Sequence, residues 1–479
     1  GGTDMFYDKN YALAKPRRKR VLLSGFKGFD ETKASRNLPC DYVDCAYNFK
    51  FKNGILINPL GISALEVDET AIPPMPSVEG KKRLFVTKVD LGGQLKTAFA
   101  LSHRGGLEYT VCGETQWKHI ETDGIFDVGV NYLYEDKDLL LLSGEKGLKA
   151  LADGELVDVQ ADARILDMCV HYERIYAVVE GKRNSLRFSD DFDPYNWNVS
   201  LEEGGYINFD GSLGSVNTVK SFENYLYIFC DYGIYRLTAF ADQTQFSMKK
   251  VYASGGKIFA DSVKECGEYI AFASQDGIYL FDGYAVTKIN VGVDGLSDGG
   301  FKDASACYAH GRYIMSFTDE KECDYGVFSQ SRANNTILIL DIAEKSVEFM
   351  RGISLYDLKT VGAYGEGKVI GLSQDCVSPV QLDGSGLYFG APYQKYWQSG
   401  EIDFDRPSIF KVVRAVEYSA CCQYVLGIMA NGERREFILS PTENRVNIYV
   451  KSDKFVFYIR SDNMCEEIRP PILEIDFLQ

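Results

Sequence analysis

Along most of the chain the hydrophobic and polar positions repeat one phrase: an apolar run, a tight turn, a second apolar run. The clearest copies are Tyr225-Leu226-Tyr227-Ile228-Phe229, turning at Asp231-Tyr232-Gly233 into Ile234–Leu237, and Tyr269–Ala273, turning at Gln275-Asp276-Gly277 into Ile278–Phe281. Their glycines, Gly233 and Gly277, stand 44 residues apart. Runs this short, bounded by turn residues and rich in Tyr, Phe and Ile, predict strands. A hairpin recurring at about this period predicts a propeller blade.

Weaker copies turn near Gly106, Gly147, Ser185, Thr336 and Ser378. Successive turns lie 38 to 48 residues apart, except for 59 across a polar insertion at Thr318–Asn335. Seven copies are counted, with six as the alternative if an end copy belongs to a flanking element. Runs such as Phe246–Tyr252 would complete four strands per blade. Strands apolar on both faces need covering on both sides, and stacking around a ring provides it.

The period is lost after Trp397-Gln398-Ser399-Gly400. New strands follow at Phe410–Tyr418, Tyr424–Met429, Arg435–Leu439, Arg445–Val450 and Phe455–Arg460, with Asn431-Gly432 as a turn. Strands at this spacing predict a small C-terminal β-sandwich. Near the start, Tyr47–Phe51 and Ile55–Ile57 flank Asn53-Gly54, a two-residue hairpin signal, and Ile72–Pro76 reads as a linker or an edge strand. The expected fold class is all-β: residues 1–80 an extended arm and hairpin packing on or closing the propeller, 81–395 the propeller, and 396–479 the sandwich.

Composition changes this picture little. In 479 residues there are 31 Tyr, 29 Phe and 45 Gly but only 13 Pro, which suits many strands and tight turns. The net charge of −16 disfavours broad nucleic-acid binding, because an acidic surface repels phosphate. One run opposes it. Lys15, Arg17, Arg18, Lys19 and Arg20 form a candidate contact arm for an acidic partner. No apolar stretch is long enough for a helical membrane span. Twelve irregularly spaced cysteines with no Cys-x-x-Cys pair suggest thiols in a reducing compartment.

Local chemistry is sparse. The four histidines, His103, His119, His171 and His310, form no sequence-local ligand pair, so no metal and no cofactor is implied. His103, at a hairpin turn, is expected at the surface. No nucleophile elbow or phosphate loop occurs. The densest acidic segment, Ser189–Trp197, offers Asp190, Asp191, Asp193 and Trp197 as a candidate loop site. Its carboxylates suit calcium or glycoside hydrolysis; as a folded turn, Asp caps backbone amides and Trp197 anchors the loop. No catalytic residue is assigned.

The same segment carries a likeness. Leu186-Arg187-Phe188-Ser189 followed by Asp193-Pro194-Tyr195-Asn196-Trp197 resembles a Ser-x-x-x-Asp-Pro-x-Asn-Trp phrase of bacteriophage and prophage virion propellers. Gly25–Asp30, Ala46–Phe49 with Asn53–Leu56, and Ser399–Asp403 leading into Lys411–Arg414 are similar to the same family. The resemblance implies a structural protein of the tail-hub, nozzle or DNA-stabilisation type, pairing a propeller with a β-sandwich platform. It implies other virion proteins and a homo-oligomeric ring as partners. Nucleic acid would be met only in passage past an acidic inner surface or through the basic arm. The implied location is the virion, and the host bacterial cytoplasm during assembly. The alternatives are a free-standing propeller that binds protein or glycan and, third, a propeller glycosidase using Asp190, Asp191 and Asp193.

Overall fold

The computed structural model describes residues 17–23, 26, 28, 43–65, 73, 78, 80–91, 93–160, 163–200, 203–240, 243–289, 298–301, 303–319, 333–362, 366–464 and 466–478. Lys15, most of Ile72–Pro76 and most of the Thr318–Asn335 insertion lie outside them. The described residues are strands joined by turns, with a few short 3-10 segments and no α-helix. The chain divides into two compact units, Leu60–Ala391 and a second made of Gly1–Pro59 with Pro392–Gln479.

The first unit is a β-propeller. Its strands form seven antiparallel sheets in chain order: sheet 1 (82–120), sheet 2 (126–160), sheet 3 (165–208), sheet 4 (216–253), sheet 5 (264–289), sheet 6 (305–351) and sheet 7 (356–383). Sheets 1 to 6 are four-stranded meanders. The repeated hairpin of the sequence is the second and third strand of each sheet, as in Tyr225–Cys230 with Gly233–Thr238. These strands are almost wholly buried, as residues apolar on both faces require.

The first strands touch from each sheet to the next, and the first strand of sheet 7 touches that of sheet 1, so the sheets close into a ring. Apolar cores fill the spaces between sheets. Phe85, Ala98, Ala100 and Leu107 of sheet 1 pack on Phe126, Leu140 and Leu142 of sheet 2. Phe229 of sheet 4 packs on Phe272 of sheet 5 with ring centroids 5.6 Å apart. Polar staples repeat as well. Ser102 and Ser143 each accept a hydrogen bond from the first residue of the following sheet, Phe126 N–H at 2.8 Å and Ile165 N–H at 2.9 Å.

Sheet 7 completes itself with a strand from far upstream. Gly61–Ala64 pairs antiparallel with Val380–Asp383, and Ile62 is fully buried. Gly61–Ala64 thereby supplies a strand next to Val380–Asp383 in the seventh sheet. The described residues before Leu60 belong to the other unit. Arg17–Leu22 pairs with Ile472–Phe477 in a four-stranded sheet, and Val43–Tyr47 pairs with Lys395–Ser399 in a five-stranded one. One core lies between the two sheets: Leu23, Phe26, Val43 and Leu56 pack with Trp397, Leu426, Ile459 and Ile475. The observed division thus differs from boundaries at 80 and 395. Pairings between the two ends of a chain leave no trace in local periodicity. Asn53-Gly54 and Asn431-Gly432 are tight turns with both residues at positive φ, 51° and 76°, 53° and 76°, as the type I′ hairpin requires.

Candidate metal centre

Three side chains converge on the face of sheet 1 that carries Phe99 and Leu101, residues that pack with Ile370 and Leu372 of sheet 7. Strand register brings them together. Glu108 on Gly106–Val111 stands opposite Leu101 on one side and His119 on the other, and His103 lies two residues beyond Leu101 on the same face. Glu108 Oε1 is 2.7 Å from His119 Nδ1 and 3.3 Å from His103 Nε2. One nitrogen or oxygen from each residue lies within 4.8 Å of the others, and this is the one such His, Cys, Asp and Glu group among the described residues.

The side chains of His103 and Glu108 are about 10% exposed, whereas that of His119 is 49% exposed. The sequence placed His103 on the surface; it is buried, because its ring turns back along the sheet onto Glu108. The turn is shaped for the two rings. A Cβ on Gly106 would stand 2.5 Å from His119 Cε1 and 2.8 Å from the carbonyl of Ile120, so only glycine leaves room for that imidazole. Gly105 N–H donates to His103 Nδ1 at 3.1 Å, which leaves the ring proton on Nε2, facing Glu108. Ligand spacings of five and eleven residues match no local motif, so the group emerges only from the register. The one hint in the sequence was Gly105-Gly106 directly after His103.

The loop site of the sequence is built differently. Asp190, Asp191, Asp193 and Trp197 lie between the third and fourth strands of sheet 3. Asp193 accepts from Tyr195 N–H and Asp190 from Asp191 N–H, both at 2.9 Å. Asp191 faces Arg174 at 3.5 Å. Trp197 is buried and donates from Nε1 to the Pro194 carbonyl at 3.0 Å. Burial first, and then the neighbouring Asp191, push the Asp190 carboxyl above its ordinary range. Asp190 and Asp193 cap backbone amides, and the three carboxylates do not converge on a common point.

The basic run is not a free arm over its described part. Arg17–Arg20 are exposed but lie in the edge strand Arg17–Leu22. Arg18 Nε is 3.0 Å from Asp476, which also pairs with Arg414, and Arg20 pairs with Glu417. Lys19 sits over the Phe477 ring at 5.3 Å.

The innermost strands of the propeller also depart from an acidic lining. Lys220 reaches Asp167 at 2.9 Å, Lys359 reaches Asp357 at 2.9 Å, and Arg164 pairs with Asp127. Elsewhere Cys422 is disulfide-bonded, while Cys169, Cys230, Cys266, Cys307, Cys376 and Cys421 are free thiols.

No protein-family model and no curated protein matches the chain. Among solved structures it is similar to BBS1N, crystallised in complex with ARL6DN, at 9% identity over 67% of this chain and 95% of that one, TM-score 0.43. The AfRom2 CNH domain is similar at 8% identity, covering 67% and 97%, TM-score 0.40. The Pan2 WD40 domain of Neurospora crassa is similar at 10% identity, covering 68% and 94%, TM-score 0.38. The propeller is defined by the chain's own sheet order and contacts.

Proposed function

We propose that this chain works by assembly and not by catalysis, as a structural protein of a tailed-phage or prophage virion, in the tail hub or nozzle beneath the portal. The observation that carries an assembly role is the distribution of exposed apolar side chains on the propeller. In a four-stranded antiparallel meander, the first–second and third–fourth connections leave at one end. The second–third connections and the crossovers leave at the other. Leu95, Leu133, Phe192, Phe240 and Tyr284, 61 to 73% exposed, sit at connections of the first kind in sheets 1 to 5. At second–third connections the large exposed apolar residues among the described residues are Tyr232 and Val377. Apolar side chains gathered at one end of a ring suit burial against a partner.

What points to a virion is the likeness around Asp193–Trp197, at the start and after Ser399. On this reading the partners are other virion proteins and further copies of the chain. The chain would reside in the virion and, during assembly, in the host cytoplasm. Negative-stain microscopy and light scattering test it. Rings, or capture by a portal or adaptor ring, are expected, and Phe192→Ser with Tyr284→Ser should weaken them. Monomers at every concentration, with no portal or adaptor binding, would overturn the proposal.

The same exposed Phe192, Phe240 and Tyr284 favour one other reading, a free-standing propeller whose aromatic end stacks on peptide or sugar. Several clean hits on a glycan array, by a protein that stays monomeric, would select it. Hydrolysis of aryl glycosides, lost in the alanine variants of Asp190, Asp191 and Asp193, would instead make it an enzyme.

A further inference from the structure

We infer that His103, Glu108 and His119 form a binding site for a late first-row divalent metal ion, with Zn²⁺ the best fit, on the outer half of sheet 1. Two imidazoles and one carboxylate are the donor set that zinc takes in open sites, and hard cations such as Ca²⁺ and Mg²⁺ prefer all-oxygen sets. A tetrahedral ion with bonds of about 2.0–2.1 Å holds its ligand atoms roughly 3.3 Å apart. The Glu108 oxygen already stands 3.3 Å from His103 Nε2 and 2.7 Å from His119 Nδ1, and the remaining separation is no more than 4.8 Å. Side-chain rotations are enough to seat an ion.

Burial gives the site its bias. The Glu108 carboxylate is held away from water between two rings that face it through ring nitrogens. A buried carboxylate gains more from a divalent cation than an exposed one does. The half-exposed His119 marks the entrance, and the fourth position opens there to water. Seating the ion costs one rearrangement. His103 must give Nε2 to the metal and carry its proton on Nδ1, so the Gly105 amide, now 3.1 Å from Nδ1, has to turn away. Gly105 and Gly106 carry no side chains, which makes this the segment best able to rotate. Bound metal would tie Lys118–Ile120, the short outermost strand, to the two strands inside it.

The test uses the full chain, stripped with a chelator and with its thiols alkylated so that free cysteines cannot compete. Isothermal titration with Zn²⁺ should show one equivalent per chain. Co²⁺ should give the visible absorption of a low-symmetry nitrogen and oxygen site. Loss of a direct ligand in His119→Ala or Glu108→Gln should weaken binding by at least the roughly 10–100-fold that loss of a supporting residue costs. His119 is half exposed, so His119→Ala should keep the parent circular dichroism spectrum and metal-free melting midpoint. The parent midpoint should rise with Zn²⁺ while that of the variant stays flat. Absence of a saturable equivalent in the alkylated parent, or equal affinity in parent and His119→Ala, would overturn the inference.

Discussion

The two units reach the same kind of core by opposite routes. In the propeller, every strand of sheets 1 to 6 pairs with its neighbour in sequence, and the sheets follow one another around the ring. In the other unit, Arg17–Leu22 and Val43–Tyr47 pair with strands from Lys395 onward, more than three hundred residues away. Local pairing writes a period into the sequence. Pairing between chain ends writes only apolar runs, which could belong to any sheet.

The largest effect should come from separating the two ends. Leu23, Phe26, Val43, Ala46, Phe49 and Leu56 are buried in the core shared with residues 392–479. At about 1.5–3 kcal/mol for each large side chain, their loss approaches the whole stability of a domain. Residues 392–479 alone should therefore fail to fold, and a 17–59 fragment added in trans should restore a cooperative melt. Residues 60–391 should fold without either. A cooperative transition in 392–479 by itself would break the contrast between the units.

A smaller change probes the one place where the propeller uses the non-local route. Ile62 is fully buried on Gly61–Ala64, opposite Leu382, and its carbonyl accepts from Phe389 N–H at 2.8 Å. Ile62→Ala should cost about 2–5 kcal/mol in denaturant melts. Ile438→Ala, at a 60% exposed position on an edge strand, should stay within about 0.5 kcal/mol. Equal costs would mean that the Gly61–Ala64 strand does not close the seventh sheet in solution.

These two experiments follow the line between what the sequence revealed and what it hid. The hairpins around Gly233 and Gly277 were legible because apolar runs and turn residues alternate within about a dozen positions. Gly61–Ala64 was hidden because its partner, Val380–Asp383, lies some 320 residues on. Arg17–Arg20 read as an arm for the same reason. The carboxylate that answers Arg18 belongs to Asp476, 458 residues away. His103, Glu108 and His119 looked like three unrelated residues until two strand registers were fixed. The Asp190–Trp197 loop was open to a turn reading because an Asx turn is made within a few residues.

Next in size is the response to acid. His171, at the end of the first strand of sheet 3, is 3% exposed, and burial pulls its imidazole down to about 4. Below about pH 6.5 the unfolded chain takes up a proton that the folded chain refuses, so stability falls as pH drops towards 4. The shift of roughly 2.5 units corresponds to about 3 kcal/mol. Asp261 works the other way. Although Asp261 is exposed, the protein packed around it, with Asp167 and Asp303 nearby, raises its carboxyl to about 6, so its contribution falls as pH rises from about 4 to 6. The difference between parent and His171→Asn isolates the histidine. The variant should lose less stability than the parent between pH 6.5 and 4.5, as measured by urea midpoints. Parallel pH curves would show that His171 is protonated in place.

The smallest effect belongs to the arginines of the edge strand, where the units differ again. In the propeller the innermost charges pair inside the ring, as Lys220 does with Asp167. On the outer face of the other unit, Arg20 meets Glu417 with 59% of its side chain in water. Exposed pairs of this kind contribute about 0.2–1 kcal/mol and are screened within roughly 10 Å at 0.1 M salt. Arg20→Ala should therefore lower stability by that much at low salt and by almost nothing at 1 M. Lys220→Ala should cost more, and its cost should persist in salt, because it leaves the largely enclosed Asp167 carboxylate with hydrogen bonds from Thr218 and Val219 but no charge partner. If Arg20→Ala were instead strongly destabilising at both salt concentrations, Arg17–Leu22 would be held by its charges. The backbone pairing with Ile472–Phe477 and the apolar contacts of Val21 would then count for little, and the basic run would act as a clasp joining the two ends of the chain.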